Sequence, residues 1–167
     1  MRRRGISKDA RGNEVRQVVN ATDGTLTSVT NPNGQTVNYT YDESKRVTGV
    51  ETTADGKAYR NAYTYENDRI KTVAHNTTGD TPDVTYTFNY DELGRKTTVK
   101  VGSQTLSTNV YSSDRSGLLK EVQYGNDGKV KYAYDEYDRM IGVKYDEETT
   151  NRYTYEYDAS GEASVVR

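Results

Sequence analysis

The side chains able to do chemistry in this sequence are few and unevenly spread. There is a single histidine, His75, and no cysteine in 167 residues. A Ser-His-Asp relay needs an imidazole poised between a nucleophile and a carboxylate, and a structural zinc site draws several Cys and His ligands together. One imidazole without thiols supports no His-rich or thiolate site, and His75 reads as a surface loop residue. Acidic groups are plentiful. Asp135, Asp138, Asp146, Glu147 and Glu148 fall close together, but not at the alternating spacing of a calcium-binding loop. Paired carboxylates for glycoside hydrolysis need only a set separation in space, and no pair stands out. No glycine-rich phosphate loop is present. The expectation is a protein with no catalytic residue, no metal and no cofactor.

What does recur is a motif of aromatic, acidic and basic residues. Tyr39 and Tyr41 precede Asp42, Tyr63 and Tyr65 precede Glu66, and Phe88 and Tyr90 precede Asp91. Tyr132 and Tyr134 precede Asp135, and Tyr155 and Tyr157 precede Asp158. Asn109 and Tyr111, followed by Ser112, form a degenerate copy. The second ring falls at 41, 65, 90, 111, 134 and 157, at steps of 21 to 25 residues. Four of the five acidic residues are followed by a basic and then an apolar residue: Arg46 and Val47, Arg69 and Ile70, Gly94 with Arg95 and then Val99, Arg139 and Met140. The Asp–Arg pairs invite a functional reading. The plainer one is that Asp caps its own turn through its side chain and Arg closes the hairpin over it. Such a fixed period means that repeated supersecondary units set the fold.

Those units must be hairpins. Val37, Tyr39 and Tyr41 alternate with period two and share one face of a strand. Asp42 to Lys45 supplies a turn, and a return strand runs from Arg46 to about Thr53. Val47 and Val50 are three apart, so either the return strand carries a bulge or only one of the two faces inward. Asn31-Pro32-Asn33-Gly34, Asp55-Gly56, Gly79-Asp80 and Asn126-Asp127-Gly128 separate the copies with residues that accept positive φ. No segment sustains a helical period. The fold class predicted is all-β, as repetitive antiparallel hairpins with two strands and about 23 residues per repeat.

Composition agrees. Only 32% of residues are hydrophobic and 29% are charged, values that border on disorder, yet there are 16 Tyr and only 2 Pro. A Tyr ring buries a large area and keeps a hydroxyl for a partner, so an apolar layer is available even though a thick aliphatic core is not. The formal net charge of −2 leaves no footprint for nucleic acid, and no apolar run reaches membrane-spanning length. Arg2, Arg3 and Arg4 are not followed by the apolar stretch of a signal peptide.

The motif Tyr-Asp-x-x-Gly-Arg, with a turn of Asp-Pro-Asn-Gly type and a period a little over twenty, resembles the YD repeat, also called the RHS repeat. Tyr90-Asp91-Glu92-Leu93-Gly94-Arg95 matches without a gap, whereas Tyr41 to Arg46 and Tyr134 to Arg139 differ only at the glycine. The resemblance spans roughly residues 22 to 161. Three departures predict local irregularity: Glu66-Asn67-Asp68-Arg69 is short by one, Ser112 to Leu118 is long, and Glu162 stands in place of Arg.

The resemblance implies more than the residues do. Such repeats form a strip of antiparallel strands that spirals, and in bacterial toxin-complex and RHS proteins and the related teneurins it closes into a hollow cocoon. In the bacterial toxins the cocoon encloses a variable C-terminal toxic domain; other members sit on Gram-positive cell walls. By that likeness this chain is an open fragment of a shell: residues 1–21 a basic lead-in and partial repeat, residues 22–167 a domain of about six repeats. Its implied partners are the rest of a parent protein and a C-terminal effector, and its implied location is secreted or cell-surface. The family's Asp-Pro-x-Gly-Leu end motif, associated with self-cleavage, does not occur. Exposed rings also stack on sugars, which makes an adhesive or carbohydrate-binding surface module the competing reading, with glycans as partners. The repeats use no Trp and no Tyr-Tyr pair, which favours Tyr as a structural ladder. Unpaired strand edges further predict self-association through Val15–Val29 or Tyr153–Val166, unless the basic N-terminal arm covers an edge.

Overall fold

A computed structural model describes residues 2–54, 56–77, 81–114 and 116–166. Among these there are fifteen strands and no helix, and strands neighbour one another in chain order. The chain divides into two compact units, Met1–Tyr86 and Thr87–Arg167. The first holds β1 (Arg2–Lys8), β2 (Glu14–Asn20), β3 (Leu26–Thr30), β4 (Thr36–Tyr41), β5 (Val47–Ala54), β6 (Lys57–Glu66) and β7 (Arg69–Asn76). The strand β8 (Val84–Tyr90) runs across the division. The second unit continues with β9 (Lys96–Val101), β10 (Gln104–Tyr111), β11 (Leu119–Tyr124), β12 (Lys129–Tyr134), β13 (Met140–Tyr145), β14 (Tyr153–Tyr157) and β15 (Ala163–Val166). Within each unit the strands form an antiparallel meander. The boundary expected at residues 21 and 22 falls inside the turn between β2 and β3, whose ends are joined by Asn20 N–H donating to Thr25 C=O at 2.8 Å.

A bulge recurs in four of the five tyrosine hairpins whose register is described, the exception being β14–β15, where Tyr155 faces Val165 and Tyr157 faces Ala163 without a slip. Tyr41 faces Val47 while Thr40 faces Gly49, so Thr48 is one residue too many. Tyr65 faces Ile70 and Thr64 faces Thr72. Tyr111 faces Leu119 and Val110 faces Glu121. Tyr134 faces Met140 and Ala133 faces Gly142. The bulge settles the spacing of Val47 and Val50: Tyr39 faces Val50 and Tyr41 faces Val47, so one extra residue brings two apolar side chains three apart onto one face. The pair β2–β3 carries the same slip, with Val19 opposite Leu26 and Val18 opposite Ser28. Val19 therefore stands where a tyrosine stands in later hairpins.

One face of each unit is aromatic and aliphatic, the other polar. In the first unit Tyr39, Val50, Tyr63, Val73, Tyr41 and Val47 share a face by register. His75 lies on it too, inside β7 and opposite Asn61, not in a loop. Its ring Nδ1 is 2.9 Å from Asn61 Oδ1, and period two makes it a strand position flanked by Val73. The opposite face carries the Glu51–Arg60 ion pair at 2.6 Å and the Thr40–Thr48 and Thr64–Thr72 hydroxyl pairs at 3.1 and 2.6 Å. Burial is shallow: Val143, 8% exposed, is the one buried hydrophobic side chain among the described residues. A single layer of strands cannot enclose a side chain on all sides.

Turn chemistry follows the residue types. Gly94 takes φ 76° at the place before Arg95, where Lys45 and Asp138 adopt 61° and 63° without being glycine. The short connection of β6 and β7 is not irregular. Asn67 and Asp68 have φ 48° and 61° between the paired residues Glu66 and Arg69, a two-residue turn with both positions left-handed, matched to the strand twist.

Gly125 is held for a different reason. A Cβ there would lie 2.4 Å from the Thr105 backbone oxygen, whereas one at Gly5 would meet nothing within 4 Å. Gly125→Ala should destabilise the protein by about 1–3 kcal/mol through overpacking against backbone. Gly5→Ala should leave the thermal midpoint unchanged or raised, as measured by calorimetry. Equal midpoints for the two variants would contradict this packing.

Candidate functional site

The recurring motif assembles into a joint between consecutive hairpins. It begins in the turn. Asp42 Oδ1 accepts the backbone N–H groups of Ser44 and Arg46, both at 2.9 Å, and its Oδ2 accepts Arg46 Nε at 2.7 Å. Asp91 does the same with Leu93, Arg95 and the Arg95 Nε, at 3.0, 2.8 and 2.7 Å. Asp135 repeats it with Tyr137 and Arg139, at 2.9 and 3.0 Å, and with Arg139 Nε at 2.7 Å. Aspartate is the right length to reach amides two and four residues on.

The arginine held in this way turns its guanidinium onto the next hairpin. The Arg46 carbon is 4.5 Å from the centre of the Tyr65 ring, Arg95 lies 4.5 Å from Tyr111, and Arg139 lies 4.4 Å from Tyr157. The far nitrogens reach the next turn: Arg46 Nη1 donates to Asp68 Oδ1 at 2.7 Å, and Arg95 Nη1 to the Gly117 carbonyl at 3.1 Å. The stacked tyrosine then reaches back. Tyr65 O–H donates to the Val47 carbonyl at 2.7 Å, Tyr111 to Lys96 at 2.9 Å and Tyr157 to Met140 at 2.7 Å. Tyr41 and Tyr134 make the equivalent bond to Leu26 and Leu119 at 2.9 and 2.8 Å. Each acceptor begins the preceding return strand. Asp, Arg, Tyr and a backbone carbonyl thus close a circuit across two hairpins.

The remaining motif residues divide. Tyr39, Tyr63 and Tyr132 face Val50, Val73 and Val143 across their hairpins. Tyr155, in β14, and Phe88, in β8, are half-buried. Gly94 supplies the left-handed turn position. Glu66 is not a counterpart of Asp42: its carboxylate pairs with Lys71 at 2.9 Å, because a two-residue turn offers no amides at the second and fourth positions. Arg69 Nη1 donates to the Asn67 carbonyl at 3.2 Å. Asp158 caps its turn through Ser160 and Glu162 N–H, at 2.8 and 2.9 Å, with no arginine. The one ring–ring contact among the described residues joins Tyr145 and Tyr153, edge to face at 6.4 Å.

Sequence reasoning passed over two cappers. In the long turn, Ser112 N–H donates to Leu118 C=O at 2.7 Å as the aspartates do elsewhere, and Asp114, two residues later, accepts Ser116 N–H at 3.0 Å. Aligning Asp114-x-x-Gly117 with Asp91-x-x-Gly94 exposes it. Asp9 likewise accepts Arg11 and Asn13 N–H, both at 2.9 Å, from the same Asp-x-x-Gly pattern.

Electrostatics follow this geometry. The Arg46 amide holds the Asp42 carboxyl below the usual range, partial desolvation opposing it and the guanidinium adding to it. For Asp91 and Asp135 desolvation pushes upward, and the amides and guanidinium groups of Arg95 and Arg139 outweigh it, so both are also lowered. The Ser112 and Ser116 hydroxyls bring Asp114 to about 2. No three His, Asp or Glu side chains among the described residues are grouped as metal ligands.

A turn-capped, tyrosine-stapled hairpin repeated along a meander defines a class of repetitive β-sheet proteins. The family model described as RHS Repeat matches residues 20–58, the stretch from the end of β2 to the start of β6, which carries the first full copy of the motif. In fold the protein is similar to a chain in a structure of the Photorhabdus luminescens Tc holotoxin pore, with TM-score 0.52 and 14% identity over 92% of this chain. It spans 10% of that chain's length. Structures of the TcdB2–TccC3 complex, alone and with Cdc42, align at 14% identity over 95% of this chain and 12% of theirs, with TM-score 0.35. A search of curated proteins gave no match to this chain.

Tyr65→Phe keeps the ring and removes the bond to Val47. It should cost about 0.5–1.5 kcal/mol in chemical denaturation, the net worth of one hydrogen bond, and Arg46→Met should reduce that cost if ring and guanidinium act as one joint. Full additivity of the two would argue against a joint. Acid gives a second test. Each capping carboxyl is more acidic folded than unfolded, so its stabilisation is complete above the unfolded value and is lost as pH falls through the folded one. The thermal midpoint should fall as pH drops from about 4 toward 2, and less steeply in Asp91→Asn.

Proposed function

We propose that this chain is a non-catalytic wall segment of a secreted or surface RHS-repeat protein, part of a β-sheet shell that encloses or presents a C-terminal effector or toxin domain. One observation carries the reading: the motif residues are spent on joining hairpins. The Asp oxygens cap turns, the Arg nitrogens cross to the next turn, and the Tyr hydroxyls bind backbone. Groups consumed in this way extend a sheet; they do not converge on a reacting atom. The likeness in fold to a Tc holotoxin chain supports the same role. Its partners are then the rest of the parent polypeptide and the enclosed domain, with neither nucleic acid nor membrane insertion involved.

A second reading, an adhesive or glycan-binding module, is favoured by Tyr124, a residue 46% exposed on the aromatic face; Tyr137 is 70% exposed, but its ring already lies 5.1 Å from the Arg139 guanidinium carbon. Labelling separates the two in the full-length protein. Gln123→Cys places a thiol on the polar face of β11 and Tyr124→Cys one on its aromatic face. A wall predicts that a bulky maleimide modifies one of them and spares the other until the protein is unfolded. Equal modification of both in the native protein would remove the enclosure reading and leave the open module.

A further inference from the structure

Arg46, Arg95 and Arg139 each place a guanidinium over a tyrosine ring of the next hairpin at 4.4–4.5 Å. At the joint leading into β12 and β13 the sequence puts Leu118 where the arginine would be. The rest of the joint is kept. Tyr134 O–H still donates to the Leu119 carbonyl. Asp114 caps the preceding turn. In the next turn Asp138, φ 63°, occupies the left-handed place that Asp68, φ 61°, occupies three hairpins earlier, and Asp68 accepts Arg46 Nη1 at 2.7 Å. Between these groups lies a recess of about 350 Å³ lined by Asp114, Ser116, Leu118, Lys120, Tyr134 and Asp138, among others. Among the described residues no guanidinium stacks on Tyr134.

We propose that this recess binds a guanidinium supplied from outside the chain, by an arginine side chain of a neighbouring polypeptide. The ring face, a carboxylate on the near turn and a carboxylate on the far turn repeat the environment that Arg46 finds between Asp42, Tyr65 and Asp68. Asp114 is kept ionised down to about 2 by the Ser112 and Ser116 hydroxyls. Asp135, which also borders the recess, is already paired with Arg139. Lys120 is the basic residue at the rim; it is exposed, and its point charge cannot reproduce a planar fork that stacks on a ring while it reaches two acceptors. The site selects arginine over lysine for that reason. It also gives this one joint a partner-dependent contact that its neighbours complete by themselves.

The test titrates isotope-labelled full chain with N-acetyl-arginine methylamide and follows the Tyr134 ring and Asp138 amide by NMR. Saturable shifts at both positions are expected, with the lysine analogue binding more weakly. Asp138→Asn keeps a residue suited to positive φ and should weaken binding about tenfold by removing a charged acceptor. Leu118→Arg should abolish it, because the chain then fills its own recess. Spectral dispersion of each variant confirms that it is folded. The proposal fails if wild type shows no saturable shift, or if both variants bind as wild type does. It fails equally if binding emerges only in Arg115→Ala, which would make the chain's own Arg115 the occupant.

Discussion

The structure depends on a hydroxyl. Within each unit the strands make a single layer, and a single layer can only half-cover what it displays: Val143 alone among the described hydrophobic side chains is buried. Stability therefore cannot come from a common core, and each hairpin must be fastened to the next, as in other quasi-one-dimensional repeats. Tyrosine meets both demands. Its ring adds apolar area to a thin sheet, and its O–H reaches a backbone carbonyl 15 to 18 residues earlier in the chain. A phenylalanine in that place would supply only the first. The carbonyl is available because the bulge interrupts the strand ladder beside it, so the extra residue in one hairpin and the tyrosine in the next are two halves of one device.

The aspartate and arginine are subordinate to that bond. Their mutual contact is half-exposed and contributes little as an ion pair. Its consequence is geometric: Asp fixes the turn and holds Nε, which leaves the guanidinium plane with one orientation, flat over the following ring. This explains why the basic residue is arginine at 46, 95 and 139. Lysine could pair with the same carboxylate but could not also stack and reach the next turn.

Much of this could be read in the sequence. Period, strand alternation and turn residues set an all-β meander with two strands per repeat, and the Asp caps follow from side-chain length. The bulge was legible only as an ambiguity in the spacing of Val47 and Val50, since one extra residue and a one-sided strand leave the same trace. The tyrosine–carbonyl bond was not legible at all: its acceptor is backbone, and backbone has no signature. Val19 escaped because an aliphatic side chain fills the tyrosine position there, and residues 1–21 consequently looked like a lead-in. The short Glu66–Arg69 connection looked like a defect and is a tight turn, because Asn67 and Asp68 are among the few non-glycine types that accept left-handed backbone.

The departures also show how a joint tolerates loss. Three contacts serve each full joint: the hydroxyl, the stack and the crossing to the next turn. Residues Thr25 and Leu118 remove the last two at the joints holding Tyr41 and Tyr134, and in both the hydroxyl bond persists. The order of dispensability follows from the physics. Stacking and crossing act on exposed, water-screened charge, whereas the hydroxyl satisfies a carbonyl that the bulge has already taken out of the ladder, and an unsatisfied carbonyl costs more than an absent ion pair.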